Sequence, residues 1–224
     1  MKIHIITLFP NMFEPVLNTS MLLKAQQLKL VEYKLVNLRD FGIGKHKTVD
    51  DVPYGGGAGM VLKPEPVFEA VEMIRKTDKH SKVVMMSPRG RQYNQRLATK
   101  LSQEDGLIIL CGHYEGFDER INDIVDYEIS IGDYVLTGGE IPAMVLADSV
   151  TRLIPGVLGD DQSNKDESFS SGILEYPQYT RPETYKDKKV PEVLRSGDHA
   201  AISKWRKENA LVKTKSNRPD LIDF

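Results

Sequence analysis

Three stretches of the chain place glycine among hydrogen-bonding side chains directly after short apolar runs. They are Ser87-Pro88-Arg89-Gly90, Gly112-His113-Tyr114-Glu115-Gly116, and Ile131-Gly132-Asp133-Tyr134-Val135-Leu136-Thr137-Gly138-Gly139. The runs before them, 82–86, 107–110 and 129–131, stop abruptly, as buried parallel strands do where they enter a loop. Loops at the carboxyl ends of α/β strands are where ligands sit. Glycine there lets backbone N–H and C=O groups approach a ligand closely enough to read it. Carrying few charges, the three loops together suit a neutral, adenosine-sized molecule. Each one alone reads equally well as a plain connecting turn.

Other candidates are weaker when taken singly. Arg152 ends an apolar helical stretch, and Asp166 and Glu167 lie in the polar segment after it. An arginine there is ordinarily a partner for the helix dipole, and such acids are ordinarily solvated. His46, Asp50 and Asp51 precede a glycine run, Tyr54–Met60, and could touch a polar substrate or simply close a loop network. Trp205, flanked by Lys204, Arg206 and Lys207, could contact RNA or anchor a small helical core. The chain has no GxxxxGK[ST], HExxH, GxSxG or CxxC, and YGGGAGM does not satisfy GxGxxG. These absences disfavour a P-loop NTPase, a zincin and a classical dinucleotide enzyme.

The elements that must position these residues follow from the hydrophobic period. Strands are expected at 3–9, 31–38, 82–86, 107–110 and 126–131. Helices are expected over 67–76, 93–103, 117–123 and 141–153, and one helical face takes in Phe13, Val16, Leu17, Met21 and Leu28. The alternation argues an α/β domain with a mainly parallel sheet. Residues 39–60 form a long loop of the kind that is usually functional or disordered. The polar stretch 155–180 carries no period, and its centre, 160–171, is expected to be a flexible linker. Beyond it, 172–224 has helical stretches near 191–196 and 198–213.

The 224 residues are 40% hydrophobic and 28% charged, with a formal net charge of −2. Residues 181–218 nevertheless hold 11 Lys/Arg against 5 Asp/Glu, a layout that suits a polyanion partner or a solvated face. Cys111 is the single cysteine, so no intrachain disulfide or multi-cysteine zinc site is possible. No run approaches a membrane span, and MKIHIITLF reads as a strand rather than a signal peptide. A cytoplasmic protein without a membrane partner is expected.

Several motifs together carry a resemblance. ITLFP (6–10), VDDVPYGGGAGMVLKPEP (49–66), CGHYEGFDER (111–120), SIGDYVLTGGEIPAM (130–144), RLIPGVLG (152–159) and LEYPQYTRPE (174–183) resemble the bacterial tRNA (guanine-N1)-methyltransferase family, as do WR (205–206) and RPDL (218–221). The resemblance covers essentially the whole chain. It implies a SPOUT-type α/β domain over 1–159 whose mainly parallel sheet carries a deep trefoil knot, and a small helical tRNA-binding domain over 172–224. It also implies a homodimer, tRNA as partner, and S-adenosyl-L-methionine as methyl donor, and it permits a magnesium dependence. The family's ligand positions fall on Gly112 and on Ile131, Gly132, Asp133, Tyr134, Val135 and Leu136, with Ser87, Pro88, Tyr114, Glu115 and Gly139 nearby. The tRNA-binding candidates are His46, Asp50, Lys204 and Arg206.

The implied reaction is methylation at N1 of the guanosine 3′ of the anticodon, position 37. N1 is protonated at neutral pH, so a carboxylate must take that proton as general base. Negative charge then grows towards O6, where an arginine stabilises it. The resemblance assigns the arginine to Arg152 and the base to the residue before Ser168-Phe169. That residue is typically aspartate in the family; here it is Glu167, with Asp166 one place earlier. Glutamate is an equally competent base with one more methylene of reach, so Glu167 is placed ahead of Asp166. A second reading is an RNA-binding module of the same fold that has lost transfer activity. A third, a SPOUT enzyme acting on rRNA or a ribose hydroxyl, is opposed by YGGGAGM and ESF.

Overall fold

The computed structural model describes residues 1–158 and 167–222. Its contacts divide the chain into two units, Met1–Gly159 and Asp160–Phe224. Asp166 and most of the expected linker fall outside the described residues.

In chain order the first unit contains β1 (Lys2–Thr7), α1 (Glu14–Leu17), α2 (Ser20–Gln27), β2 (Glu32–Asn37), β3 (Asp50–Asp51), β4 (Val61–Leu62), α3 (Pro64–Arg75) and β5 (Lys82–Gln92). It continues with α4 (Gln95–Leu101), β6 (Gly106–Cys111), β7 (Tyr127–Ser130) and α5 (Glu140–Thr151), with 3-10 turns at Leu38–Phe41 and Glu119–Ile124. Five strands make one sheet in the order β2-β1-β6-β5-β7, and every pairing in it is parallel. This is the α/β architecture that the alternation of elements predicts.

The sheet is buried on both faces, which explains why β6 reads as an unbroken apolar run and why β1 is apolar but for Lys2, His4 and Thr7. All six residues of β6 are buried. Side chains alternate across the strand, so Ile3, Ile5, Leu107, Ile109 and Met86 pack with Phe13, Leu17 and Leu22, and with Ala143, Leu146 and Val150 of α5. Ile6, Ile108, Leu110, Val83 and Met85 meet Val67, Val71 and Ile74 of α3 on the other face. Each fully buried aliphatic side chain contributes about 1.5–3 kcal/mol.

The first helical face is not continuous. α1 ends at Leu17, Asn18 and Thr19 leave helical geometry, and α2 begins at Ser20, so Val16 and Leu28 are exposed while Phe13 and Leu17 are buried. Asn18 and Thr19 are poor helix-interior residues because their side chains compete for the backbone; Thr19 Oγ1 donates to the Pro15 carbonyl at 2.6 Å. Residues 39–60 are also less irregular than their composition suggests. β3 pairs antiparallel with β4, matching Asp50 with Leu62, so the glycine run is held at both ends and presents a fully exposed Tyr54.

In the second unit, a β8 (Thr184–Tyr185) and β9 (Lys188–Lys189) hairpin precedes α6 (His199–Asn217). Asp198 caps α6 by accepting the Ala200 and Ala201 amides at 3.0 Å, a bond typically worth ~1 kcal/mol. Among the described residues no helix is long and apolar enough to cross a membrane.

Candidate active site

The site forms where β5, β6 and β7 deliver their carboxyl ends side by side. β5 does not stop at Met86 as expected from its apolar run. Ile129 of β7 pairs with both Met86 and Arg91, so Ser87–Gly90 bows out of the ladder and the strand resumes through Gln92. Pro88 has no amide to give a ladder, which favours the bow. Gly90 closes it, because a Cβ there would lie 2.5 Å from the Ile129 nitrogen. The expected turn into a helix at 93 is therefore a bulge inside one strand, and the helix begins at Gln95.

The loop after β6 turns tightly, with the Gly116 amide on the His113 carbonyl at 3.0 Å and Tyr114 at φ +59°. The Glu115 amide donates to Met60 at 3.0 Å and Gly116 accepts from Leu62 at 2.9 Å, which ties this loop to the end of the glycine run. The loop after β7 crosses it: the Gly139 amide donates to the Gly112 carbonyl at 2.7 Å, and Gly138 bridges to His113. A Cβ on Gly139 would stand 2.6 Å from the Gly112 nitrogen, so the crossing requires glycine. Immediately after it, α5 opens with Glu140, only 3% exposed, whose carboxyl accepts the Thr7 hydroxyl at 2.8 Å.

These loops enclose a cavity of about 270 Å³. Ser87, Pro88, Gly112, Tyr114, Glu115, Ile131, Gly132, Tyr134, Val135, Leu136 and Gly139 all line it. Asp133 does not; it is exposed on the same loop. His113, Thr137 and Gly138 also line it, within the loops read from the sequence although not among the ligand positions singled out, whereas Phe117 and Pro142 lie outside those loops and were not anticipated. Among the described residues His113 Nδ1 is buried without a hydrogen-bond partner, and its ring lies 5.1 Å from Phe9 and 4.8 Å from Tyr114. Behind the crossing, burial pushes the Cys111 thiol well up, with the Glu140 charge adding to the effect. It is therefore a protonated core group rather than a nucleophile.

The other candidates lie elsewhere. Arg152 caps the carboxyl end of α5 and is half-buried in the first unit. Glu167 is half-buried in the second. His46 is exposed in the turn before β3, and Asp50 is half-buried within β3. On α6, Lys204 is exposed with Nζ 4.0 Å from Glu208. Arg206 lies over the Tyr176 ring at 4.7 Å, and Trp205 meets Tyr179 at 6.2 Å. Among the described residues no group of three or more His, Cys, Asp or Glu is placed to hold a metal ion.

A parallel sheet whose neighbouring strands deliver glycine loops around a cavity with only Arg89 and Glu115 as charged lining residues defines an α/β protein with a small-molecule site at the strand ends. The whole chain, residues 1–224, matches the family described as tRNA (Guanine-1)-methyltransferase TrmD. It is 56% identical over 223 residues to the tRNA (guanine-N(1)-)-methyltransferase of Dictyoglomus turgidum, covering 100% of this chain and 90% of that protein. Proteins of the same name from Bacillus pumilus and Staphylococcus haemolyticus are 56% and 54% identical, covering 100% of this chain and 92% and 91% of theirs. The chain belongs to the tRNA (guanine-1)-methyltransferase family, a family of SPOUT α/β enzymes.

Proposed function

We propose that this protein transfers a methyl group from S-adenosyl-L-methionine to N1 of guanosine 37 in tRNA. The observation that carries the reading is the cavity at the ends of β5, β6 and β7 in a chain matched throughout by this family. Its lining fits the donor: apolar side chains from Ile131, Leu136 and Pro142 suit an adenine ring, and backbone groups at Gly112 and in 131–139 are available to hydrogen-bond it. The donor supplies an electrophilic methyl carbon. The protein's part is to orient it, a matter of in-line positioning by an ordered pocket.

Glu167 removes the N1 proton and Arg152 stabilises the charge that grows on O6. Lys204, Arg206, His46 and Asp50 contact the tRNA, the first two through the basic C-terminal segment. The crossing of the two glycine loops at Gly112 and Gly139 supports a knotted path through the site. Two copies form the working enzyme. Ile141 and Val145, one turn apart on α5 and 51% and 41% exposed, support a second copy covering this face. The family resemblance permits a magnesium dependence, and the methylation rate with and without a chelator checks it.

The test is single-turnover methylation of tRNA bearing guanosine at position 37, with the methylated atom mapped. Glu167→Gln and Arg152→Ala should each lose at least ~100-fold in rate, the scale of removed general-base and charge-stabilising groups. A wild-type protein that binds tRNA and donor but transfers nothing overturns the reading in favour of an RNA-binding module.

A further inference from the structure

The segment that follows the proposed base is a built turn. The Phe169 amide donates to the Ile173 carbonyl at 2.8 Å, the Ser170 amide to the Glu167 carbonyl at 3.2 Å, and the Glu175 amide to Ser168 Oγ at 3.1 Å. Phe169 sits at φ +73°, a conformation that a bulky residue keeps only when its surroundings hold it.

Two residues from the end of α6 do the holding. Thr214, fully buried, accepts the Leu174 amide at 3.0 Å while donating its own hydroxyl to the Ala210 carbonyl at 2.7 Å. Its oxygen thus satisfies a half-buried amide that would otherwise have to be paired elsewhere. Arg218 lies with its guanidinium 5.8 Å from the centre of the Phe169 ring. That guanidinium is aimed by a two-pronged pair with Asp220 at 2.9 and 2.7 Å, and the Arg218 amide donates to the Thr214 carbonyl at 2.8 Å. A bidentate pair fixes orientation as well as charge, and a cation over an aromatic face is attractive.

We propose that Thr214 and Arg218 are positioning residues for the Glu167 carboxylate, presenting it in a fixed place before substrate arrives. The proposal rests on Glu167 being the base. A group that must reach one atom at hydrogen-bond distance is sensitive to small displacements, so loosening the turn slows the chemical step and leaves tRNA affinity alone.

The experiment compares Thr214→Val, Thr214→Ser, Arg218→Ala and Glu167→Gln, and the Thr214→Val/Glu167→Gln double variant. Its readouts are single-turnover methylation at saturating tRNA, tRNA affinity, and hydrogen exchange of the Leu174 amide. Thr214→Val should lower the rate about tenfold or more, on the scale of a sub-ångström misplacement, with tRNA affinity within about twofold and faster Leu174 exchange. Thr214→Ser should restore the rate. The double variant should be no slower than Glu167→Gln, because the two act through one group.

Thr214→Val at the full wild-type rate overturns the proposal, as does a further loss of equal size in the Glu167→Gln background. Arg218→Ala that weakens tRNA binding but keeps the saturated rate makes Arg218 a phosphate contact instead. Should Thr214→Val fail to fold, Arg218→Ala and Asp220→Asn carry the same rate and affinity readouts. If Glu167→Gln itself keeps the full rate, the base assignment is what fails, and the positioning proposal falls with it. Leu174 exchange still reports in that case whether Thr214 holds the turn.

Discussion

Thr7 and Glu140 are 133 positions apart in sequence, yet the buried Thr7 hydroxyl donates to the buried Glu140 carboxyl at 2.8 Å. The same Thr7 oxygen accepts the Phe9 amide at 2.9 Å. One hydroxyl therefore joins the end of β1 to the start of α5, directly behind the loop crossing. Thr7→Val keeps the shape but strips partners from a carboxyl oxygen and an amide. It should destabilise the fold by roughly 1–3 kcal/mol, the cost of a buried polar group left unpaired. Chemical denaturation of the two proteins checks this.

Gly139→Ala should be worse for ligand binding than for folding. The added Cβ would press on the Gly112 nitrogen at 2.6 Å and push the two pocket loops apart. We expect at least a tenfold loss of S-adenosylmethionine affinity by calorimetry, about 1.4 kcal/mol. Gly139 lies at φ −83°, an ordinary conformation for alanine, so the loss comes from the clash and not from backbone strain.

His4 supplies a pH dependence. It is 3% exposed, with Nε2 3.1 Å from Asp78, and burial lowers its pKa against the pull of that carboxylate. As pH falls below 6.5 the unfolded chain takes up a proton that the folded chain resists, so stability declines until the lowered folded value is passed. Asp78, held down chiefly by its bond from Lys2, adds stability that is present above 3.8 and lost as pH falls through its lowered folded value. Denaturation midpoints of wild type and His4→Gln across this range should diverge, the variant having the flatter profile below 6.5.

Cys111 should be inert. Buried at 2% exposure and with its thiol pKa raised, it offers little thiolate at pH 8. A thiol reagent should label it only as fast as the chain unfolds, and labelling should accelerate in denaturant. Prompt labelling of the native protein would contradict its placement in the core.

How much of this was legible follows from where each interaction is written. β1, β6 and α5 announce themselves because a strand buried on both faces, or a helix against a sheet, needs apolar residues at a fixed local period. The glycine loops are visible for the same local reason. The bow at Ser87–Gly90 is not, since it depends on Ile129 serving two partners on a strand nearly 40 residues further on. The break between α1 and α2 turns on Asn18 and Thr19, whose competition with the backbone a hydrophobic count ignores. Glu140 reads as a surface acid at a helix start, and only Thr7, far away in sequence, gives it a buried place. Asp133 shares a loop with residues that line the cavity but stays exposed outside it, for a reason no period encodes: the chain turns tightly there, with the Tyr134 amide on the Gly132 carbonyl at 2.9 Å.

The crossing at Gly112 and Gly139 has a pharmacological consequence. A small molecule that takes its hydrogen bonds from main-chain atoms beside that junction relies on groups every amino acid carries. Neither position has free room for a side chain: a Cβ on Gly139 would press on the Gly112 nitrogen at 2.6 Å, and one on Gly112 would meet the Phe117 ring at 2.9 Å. Escape by point substitution would have to come from the cavity's apolar walls, where it weakens the inhibitor by contact loss alone.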